Sequence, residues 1–277
     1  SRSKGIEVIE EFFDENLISL INEKYGKFDL IFAANVICHI KDIDIVFKTV
    51  NEILESSGVF IFEDPYIGDV LKSNSYDQFY DEHIFMFSLH SVIKVAQAHG
   101  LKVFRVEKIW THGGSVRYYL CLDNRVQEKS VLELLDEEKK KELTSYETFI
   151  DMMIRFEKSM IEFKNIIGKY SKSGKRIFGY GATSKSSTIL NRLPEIAQMI
   201  TAIGDTTPEK IGKYSPGVHV PIISVDSLRE AKPDVVILFA WNHLEEIMNL
   251  EKEFNNNFIW VVPFPTLKVI KNDLSYK

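Results

Sequence analysis

The sequence predicts an α/β protein built from two α/β units joined by a long helix. Over roughly the first 120 residues short apolar runs alternate with amphipathic stretches, and the alternation resumes after residue 175. Strands that alternate with helices bury their faces as a sheet flanked by helices. Between the two lies a stretch whose apolar side chains recur at helical spacing. A chain of 277 residues also exceeds the ~150 residues usual for one domain. Boundaries are expected at 1–128, 129–172 and 173–277.

In chain order, IEVIEEFF (6–13) reads as a strand and ENLISLINEKYG (15–26) as a helix closed by Gly26. FDLIFAANVICHI (28–40) begins as a buried strand, because Leu30 to Ala34 are continuously apolar. Residues 43–58 form a helix: Val46, Val50, Ile53 and Leu54 share one face, and Gly58 stops it. Residues 58–65 make a second buried strand ended by Pro65, and 89–100 a helix ended by Gly100. Segments 101–110 and 113–123 alternate in polarity and read as antiparallel neighbours. Asp136 to Glu142 is a charged run, the pattern of a solvated helix face or turn. Tyr146, Phe149, Ile150, Met153, Phe156, Met160, Phe163 and Ile167 then form one core-facing helical stripe, and 171–175 is a polar linker. Residues 175–193 read as strand, glycine-rich turn and helix. Further strands are expected at 199–208, ending at Asp205, at 234–242 and at 257–265.

Composition removes several classes. Hydrophobic residues are 45% and charged residues 27%, a globular balance. With 34 basic and 40 acidic side chains the net charge is −6, so no basic excess exists to neutralise nucleic-acid phosphates. Two cysteines, Cys38 and Cys121, exclude a disulfide scaffold and a Cys-rich zinc site within these residues. No apolar run approaches the ~20 residues of a membrane span, and the start lacks an apolar signal core. A cytoplasmic protein without nucleic-acid or membrane partners is the expectation.

Several segments carry chemistry. In GYGATSK (179–185) a strand runs through Gly179, Tyr180 and Gly181 into a helix start, where free N–H groups attract an anion. Ser184, Lys185 and Ser187 could add donors; a tight turn with no ligand is the plain alternative. YDEHIFMF (80–87) holds Tyr80, Glu82 and His83. An imidazole titrates near neutral pH and a nearby carboxylate can orient it; by itself the pair reads first as a helix cap beside a packed surface histidine. NVICHI (35–40) places Asn35 and His39 at the carboxyl end of a strand, where open α/β sheets bind ligands. THGGSVR (111–117) sets Gly113, Gly114 and Ser115 before a strand, with Arg117 on it. PGVHVP (216–221), with His219, reads as a Pro-bounded loop, and AWN (240–242) as a strand end.

In order and spacing these pieces resemble the S-adenosylmethionine-dependent C-methyltransferases of nucleotide-linked deoxysugars. The resemblance runs through GIEVIEEFF, GKFDLIFAANVICHIKD, GVFIFEDPY, FYDEHIFMFSLHSV and THGGSVRYY. It continues through GYGATSKSSTILN, GDTTPEKIGKYSPGVHVPI and KPDVVILFAWNHLEEIM, so it spans nearly the whole chain. It implies a class I methyltransferase Rossmann domain that holds the donor and a C-terminal Rossmann-like domain that holds a nucleotide-diphosphate sugar. The reaction it implies is methylation at C3 of a 4-keto sugar: a base removes the C3 proton, and the enolate attacks the sulfonium methyl. The base falls on His83, with Tyr80 and Glu82 as helper acid and orienter and His39 near the sugar. Asn35, Phe12 and Phe13 fall at the donor. Gly179, Tyr180, Gly181, Lys185, Ser115, Arg117, His219, Trp241 and Asn242 fall on the nucleotide-sugar. The chemistry calls for no metal at this centre.

The family also carries a Cys-rich zinc-binding domain and a first βαβ unit with the donor's glycine loop. Neither is found in these residues. The resemblance therefore implies an incomplete methyltransferase Rossmann domain, with no zinc site and half a donor pocket. It implies a strand at 28–35 left as an unprotected edge, and a missing N-terminal segment; the chain is expected to be a fragment or split product, weak or inactive alone. Two other readings remain at this stage. GYGA with Asp205 some 20 residues beyond could hold NAD in an oxidoreductase, or the chain could be a sugar-nucleotide binding module without activity.

Overall fold

A strand needs a ladder partner, and the first apolar segment finds none. In the computed structural model, which describes residues 2–252, 254 and 258–271, residues 6–13 have no regular structure. No described strand pairs with them, so the strand expected there does not form: apolar content alone cannot satisfy backbone N–H and C=O groups. The chain divides into two units, one of Ser1–Asp69 with Glu82–Thr144 and one of Val70–Asp81 with Ser145–Lys277.

The first unit opens with helix α1 (Glu15–Lys24), whose start is capped by the Asp14 carboxylate accepting from the Asn16 N–H at 2.9 Å. Strand β1 (Phe28–Ala34) follows. Helix α2 (Ile43–Ile53) is capped by Asp42 and buries Val46, Phe47, Val50 and Ile53. It is shorter than the expected 43–58, because β2 (Leu54–Pro65) begins at its end. After α3 (Ile67–Ser73), α4 (Leu89–Ala98) starts in a Ser88–Ser91 capping box. Strands β3 (Lys102–Ile109) and β4 (Ser115–Cys121) are antiparallel, as expected, and α5 (Lys129–Lys140) closes the unit. The sheet order is β1-β2-β4-β3, with β1 and β2 parallel.

Strand β1 has the apolar run of a two-face-covered strand but lies at the sheet edge. Leu30 is 58% and Phe32 56% exposed. Burial of that run was expected and is not found; the open edge was expected and is. The charged run 136–142 also needs correcting. Glu138 is buried, and its carboxylate accepts from the Leu89 and His90 N–H groups at 2.6 and 3.0 Å. It thus occupies the positive end of α4. Glu138→Ala leaves those donors unsatisfied, and denaturant unfolding is expected to show a loss of about 1–3 kcal/mol.

The second unit begins with α6 (Tyr146–Lys172), which buries Met152, Phe156, Met160, Phe163 and Ile167. Tyr146, placed on the core stripe by spacing, is 73% exposed; the buried face starts later, at Met152. Then come β5 (Ile177–Tyr180), α7 (Ser184–Arg192), α8 (Pro194–Ala197), β6 (Ile200–Asp205), β7 (Ile222–Ser224) and α9 (Val225–Glu230). Strand β8 (Val235–Leu238), α10 (Leu244–Leu250), β9 (Ile259–Val262) and β10 (Lys268–Lys271) complete it. Asn257, the first residue of the last expected strand, lies outside the described residues. The order is β10-β9-β8-β5-β6-β7, parallel except for β10. Strand order therefore reverses between β5 and β8, the switch point where such sheets open a crevice.

Candidate active site

Strand β1 ends by forcing its next residue into the left-handed region. Asn35 has φ 52°, and its N–H donates to the Glu63 carbonyl on β2 at 2.8 Å. Its side-chain Oδ1 is buried without a hydrogen-bond partner. The turn continues as one 3-10 turn, Ile37–His39, which buries Ile37 and Cys38 and leaves His39 half-buried.

The loop carrying Glu82 and His83 is tied to this turn by two bonds. The Phe85 N–H donates to the Cys38 carbonyl at 3.2 Å. His39 Nδ1 lies 2.7 Å from the Glu82 carbonyl oxygen, which can only accept, so Nδ1 carries the proton and Nε2 keeps its lone pair. The two imidazoles lie with ring centroids 5.1 Å apart. Two histidines 44 positions apart in sequence (83 − 39 = 44) thus meet at the carboxyl end of β1. The Glu82 side chain itself is exposed, and it is the backbone of Glu82 that orients an imidazole, the one on His39.

Beneath the pair sits Asp64, which the sequence reading did not single out. It ends β2 fully buried, and neither carboxylate oxygen has a hydrogen bond of normal geometry. Burial pushes its pKa up to about 6, against the pull of the Cys38 thiol, the Ile37 and Cys38 N–H groups and His39. The same burial, with the Asp64 charge beside it, pushes the Cys38 thiol well above its usual range. The signal that could have found Asp64 is its place: a carboxylate at the carboxyl end of a buried parallel strand.

Other sequence-predicted residues fall elsewhere. Tyr80 is half-buried in the segment that groups with the second unit. Phe12 is 87% exposed, and Phe13 packs on Leu17, Ile21 and Ile53. Ser115 is buried and donates to the Thr111 carbonyl. Arg117 is held across the sheet by Glu63, with Nε and Nη2 at 2.8 and 2.7 Å from one carboxylate oxygen. Gly114 (φ 130°) is required by its turn, since a Cβ there would lie 2.6 Å from that of Asp69.

In the second unit, Gly179 serves packing: a Cβ would lie 2.8 Å from the Phe239 ring. Two of the turn's donors are taken within the unit. The Gly181 N–H bonds to the Gly204 carbonyl at 2.8 Å, and the Ala182 N–H to the Asp205 carboxylate at 2.7 Å. An anion at this turn would meet that carboxylate. Asp205 also accepts from the Thr207 N–H at 2.8 Å. Tyr180 bonds Glu251, which Arg229 grips with two nitrogens. His219 is exposed at φ 55°, and Asn242 is half-buried.

Lys185 and Trp241 belong instead to a buried polar cluster built on Asp77. The Trp241 indole N–H donates to Asp77 at 2.5 Å, and burial raises the Asp77 pKa to about 6. Burial lowers the pKa of Lys185, and the Asp77 charge works against that. Separately, a cavity of about 330 Å³ opens at the switch point, lined by Tyr180, Thr183, Asp205, Lys210 and His243 among others.

Sequence comparison assigns the family. Residues 4–106 match a family described as a methyltransferase domain, and residues 110–265 match the C-methyltransferase C-terminal domain. The chain belongs to the C-methyltransferase family. Its similarity to the C-methyltransferase NovU of Streptomyces niveus is 32% identity over 274 residues, 98% of this chain and 65% of that protein. The chain thus spans a little under two thirds of that curated relative. Among solved structures, a S-adenosylmethionine-dependent methyltransferase from Clostridium acetobutylicum is 17% identical, covering 44% of this chain and 68% of its own, with a TM-score of 0.33. Magnesium protoporphyrin IX methyltransferase from Synechocystis is 12% identical, covering 36% and 47%, with a TM-score of 0.28. No helix among the described residues is long and apolar enough to cross a membrane.

Proposed function

We propose that the chain carries the base and acceptor side of an S-adenosylmethionine-dependent C-methyltransferase that methylates C3 of a nucleotide-linked 4-keto sugar. The observation that carries this reading is the imidazole pair of His39 and His83 at the carboxyl end of β1. A C–H beside a ketone is acidified by it, and an imidazole within hydrogen-bond reach is suited to remove the proton near neutral pH. His83 is assigned as that base. His39, locked by the Glu82 carbonyl, presents Nε2 as an acceptor; it donates to an enolate oxygen only after taking up a proton.

The residues present fit one wall of a donor site. Asn35 offers a buried Oδ1 with no partner, at the strand end that faces such a ligand. When bound, S-adenosylmethionine supplies an electrophilic methyl group. Asn35 holds it, and the buried Ile37 and Cys38 turn keeps the imidazoles in place. The other wall is open among the described residues: β1 has no outer neighbour there, and Leu30 and Phe32 are exposed. A strand paired to this edge, as in a longer protein extended to the length of the relative it matches, would cover both.

The test is made with the chain and with the longer protein that supplies that strand. The longer protein, given a 4-keto nucleotide-sugar and the donor, is expected to yield the C3-methyl product. Calorimetric titration of the 277 residues with donor is expected to show binding far weaker than micromolar. Absence of a C3-methyl product from the longer protein overturns the reaction, and micromolar donor binding by the short chain overturns the need for added structure.

A further inference from the structure

We propose that Cys38, His39 and His83 form a site for one divalent ion of the zinc class. The three side chains each offer one ligand atom, and those atoms lie within 4.8 Å of one another. Around a bound zinc ion, bonds of 2.0–2.3 Å in tetrahedral array set such atoms ~3.5 Å apart. The remaining ångström is within the reach of side-chain rotation, because both imidazoles are only half-buried. One thiol with two imidazoles is a donor set that borderline ions prefer over calcium or magnesium.

Two further features point the same way. His39 already has the arrangement of a ligating histidine: Nδ1 donates to a backbone carbonyl, and the lone pair is left on Nε2. Asp64 is fully buried beside Cys38 with no hydrogen bond of normal geometry and no cation within ion-pair distance among the described residues. A buried carboxylate in that state is short of positive charge, and a dication bound at Cys38 supplies it. On binding, the Cys38 S–H bond gives up its proton to solvent, the thiolate sulfur bonds the ion, and each imidazole donates its ring lone pair. A fourth position stays open to water.

The site shares its two histidines with the proposed proton transfer. An ion seated there holds both lone pairs, so it opposes that reaction rather than serving it. This consequence, unlike the binding itself, rests on the methyltransfer reading.

Cobalt(II) reports both binding and ligand type. Anaerobic titration of the 277-residue chain with cobalt chloride is expected to saturate at one ion per chain. The spectrum should show a thiolate-to-cobalt charge-transfer band and the intense visible bands of tetrahedral coordination, all displaced by one equivalent of zinc. Cys38→Ser is expected to abolish the charge-transfer band. His83→Ala and His39→Gln should keep a thiolate signal but weaken affinity tenfold or more. Circular dichroism confirms that each variant is folded, and the two histidine variants decide the matter should Cys38→Ser not fold. The proposal fails if no charge-transfer band forms. It fails also if the band survives Cys38→Ser, which would assign it to the other buried thiol, Cys121, or if neither histidine variant weakens binding. Methyl transfer by the longer protein is followed in parallel. A cobalt site with no methyl transfer overturns the function and not the site; methyl transfer indifferent to one equivalent of zinc overturns the inhibitory consequence.

Discussion

His83→Ala is expected to lower kcat for methyl transfer by about 10²–10⁴, the range that positioned proton transfer contributes. The measurement is made on the longer protein with donor and 4-keto nucleotide-sugar, and KM should move little. A second readout isolates the base. In heavy water without donor, the native protein should exchange the C3 hydrogen for deuterium, and His83→Ala should stop that exchange. His39→Gln separates the partners. Glutamine loses the imidazole held by the Glu82 carbonyl but keeps polar bulk, so it should slow turnover while leaving exchange measurable. If His83→Ala exchanges normally and His39→Gln does not, the base is His39. The tautomer makes that outcome chemically reasonable, because only an imidazole with its lone pair toward the substrate can act as base. If both variants exchange at the native rate, neither histidine is the base and the proposed mechanism falls.

What the sequence revealed of this site, and what it hid, follows from how far each signal reaches. Asn35 and His39 could be placed because a strand end is local: an apolar run followed by polar residues marks the carboxyl edge of a sheet. The encounter of His39 with His83 could not be derived, since it depends on a loop folding back so that the Phe85 N–H reaches the Cys38 carbonyl. Asp64 was hidden by its neighbour, because an acid before Pro65 reads equally as a strand stop. Residues 6–13 carry enough β-branched and aromatic side chains to read as a strand, yet strand formation depends on a partner that local composition cannot supply. Glu138 lay in a run that reads as solvated; which of its carboxylates turns inward is set by the packing of α5 against α4. The glycine turn has a packing role that the sequence did not specify. Gly179 and Gly181 mark close approach, but the groups approaching are Phe239, Ala240 and Asp205 of the same unit. Asp77 was the least legible of all, since its partner Trp241 lies 164 positions away.

That buried cluster carries the second large effect, and its sign can be worked out. Asp77 in the folded chain titrates at about 6, raised by burial from an ordinary 3.8. The folded state therefore holds this proton more tightly than the unfolded state does. Its favourable contribution is complete below pH 4 and is lost as pH rises through 6, a change on the order of 3 kcal/mol. At pH 7 the ionised Asp77 depends on the Trp241 indole N–H and the Lys185 ammonium. Lys185→Met removes the only one of these that carries charge. Lys185 acts on Asp77 through space rather than through a hydrogen-bonded pair, so unfolding by urea at pH 7 should show a loss of about 0.5–3 kcal/mol, the usual range for a single substitution. At pH 4 the carboxyl is protonated and the loss should shrink, because no buried anion is left stranded. The double variant Asp77→Asn, Lys185→Met should recover most of the stability at pH 7, and its difference from the native chain should rise with pH across the window from 4 to 6. An equal loss from Lys185→Met at both pH values would mean that the lysine acts through packing of its methylenes and not through its charge. In that event Lys185 returns to candidacy as a ligand for the anionic end of a nucleotide, for which a raised KM in the same variant is the signature.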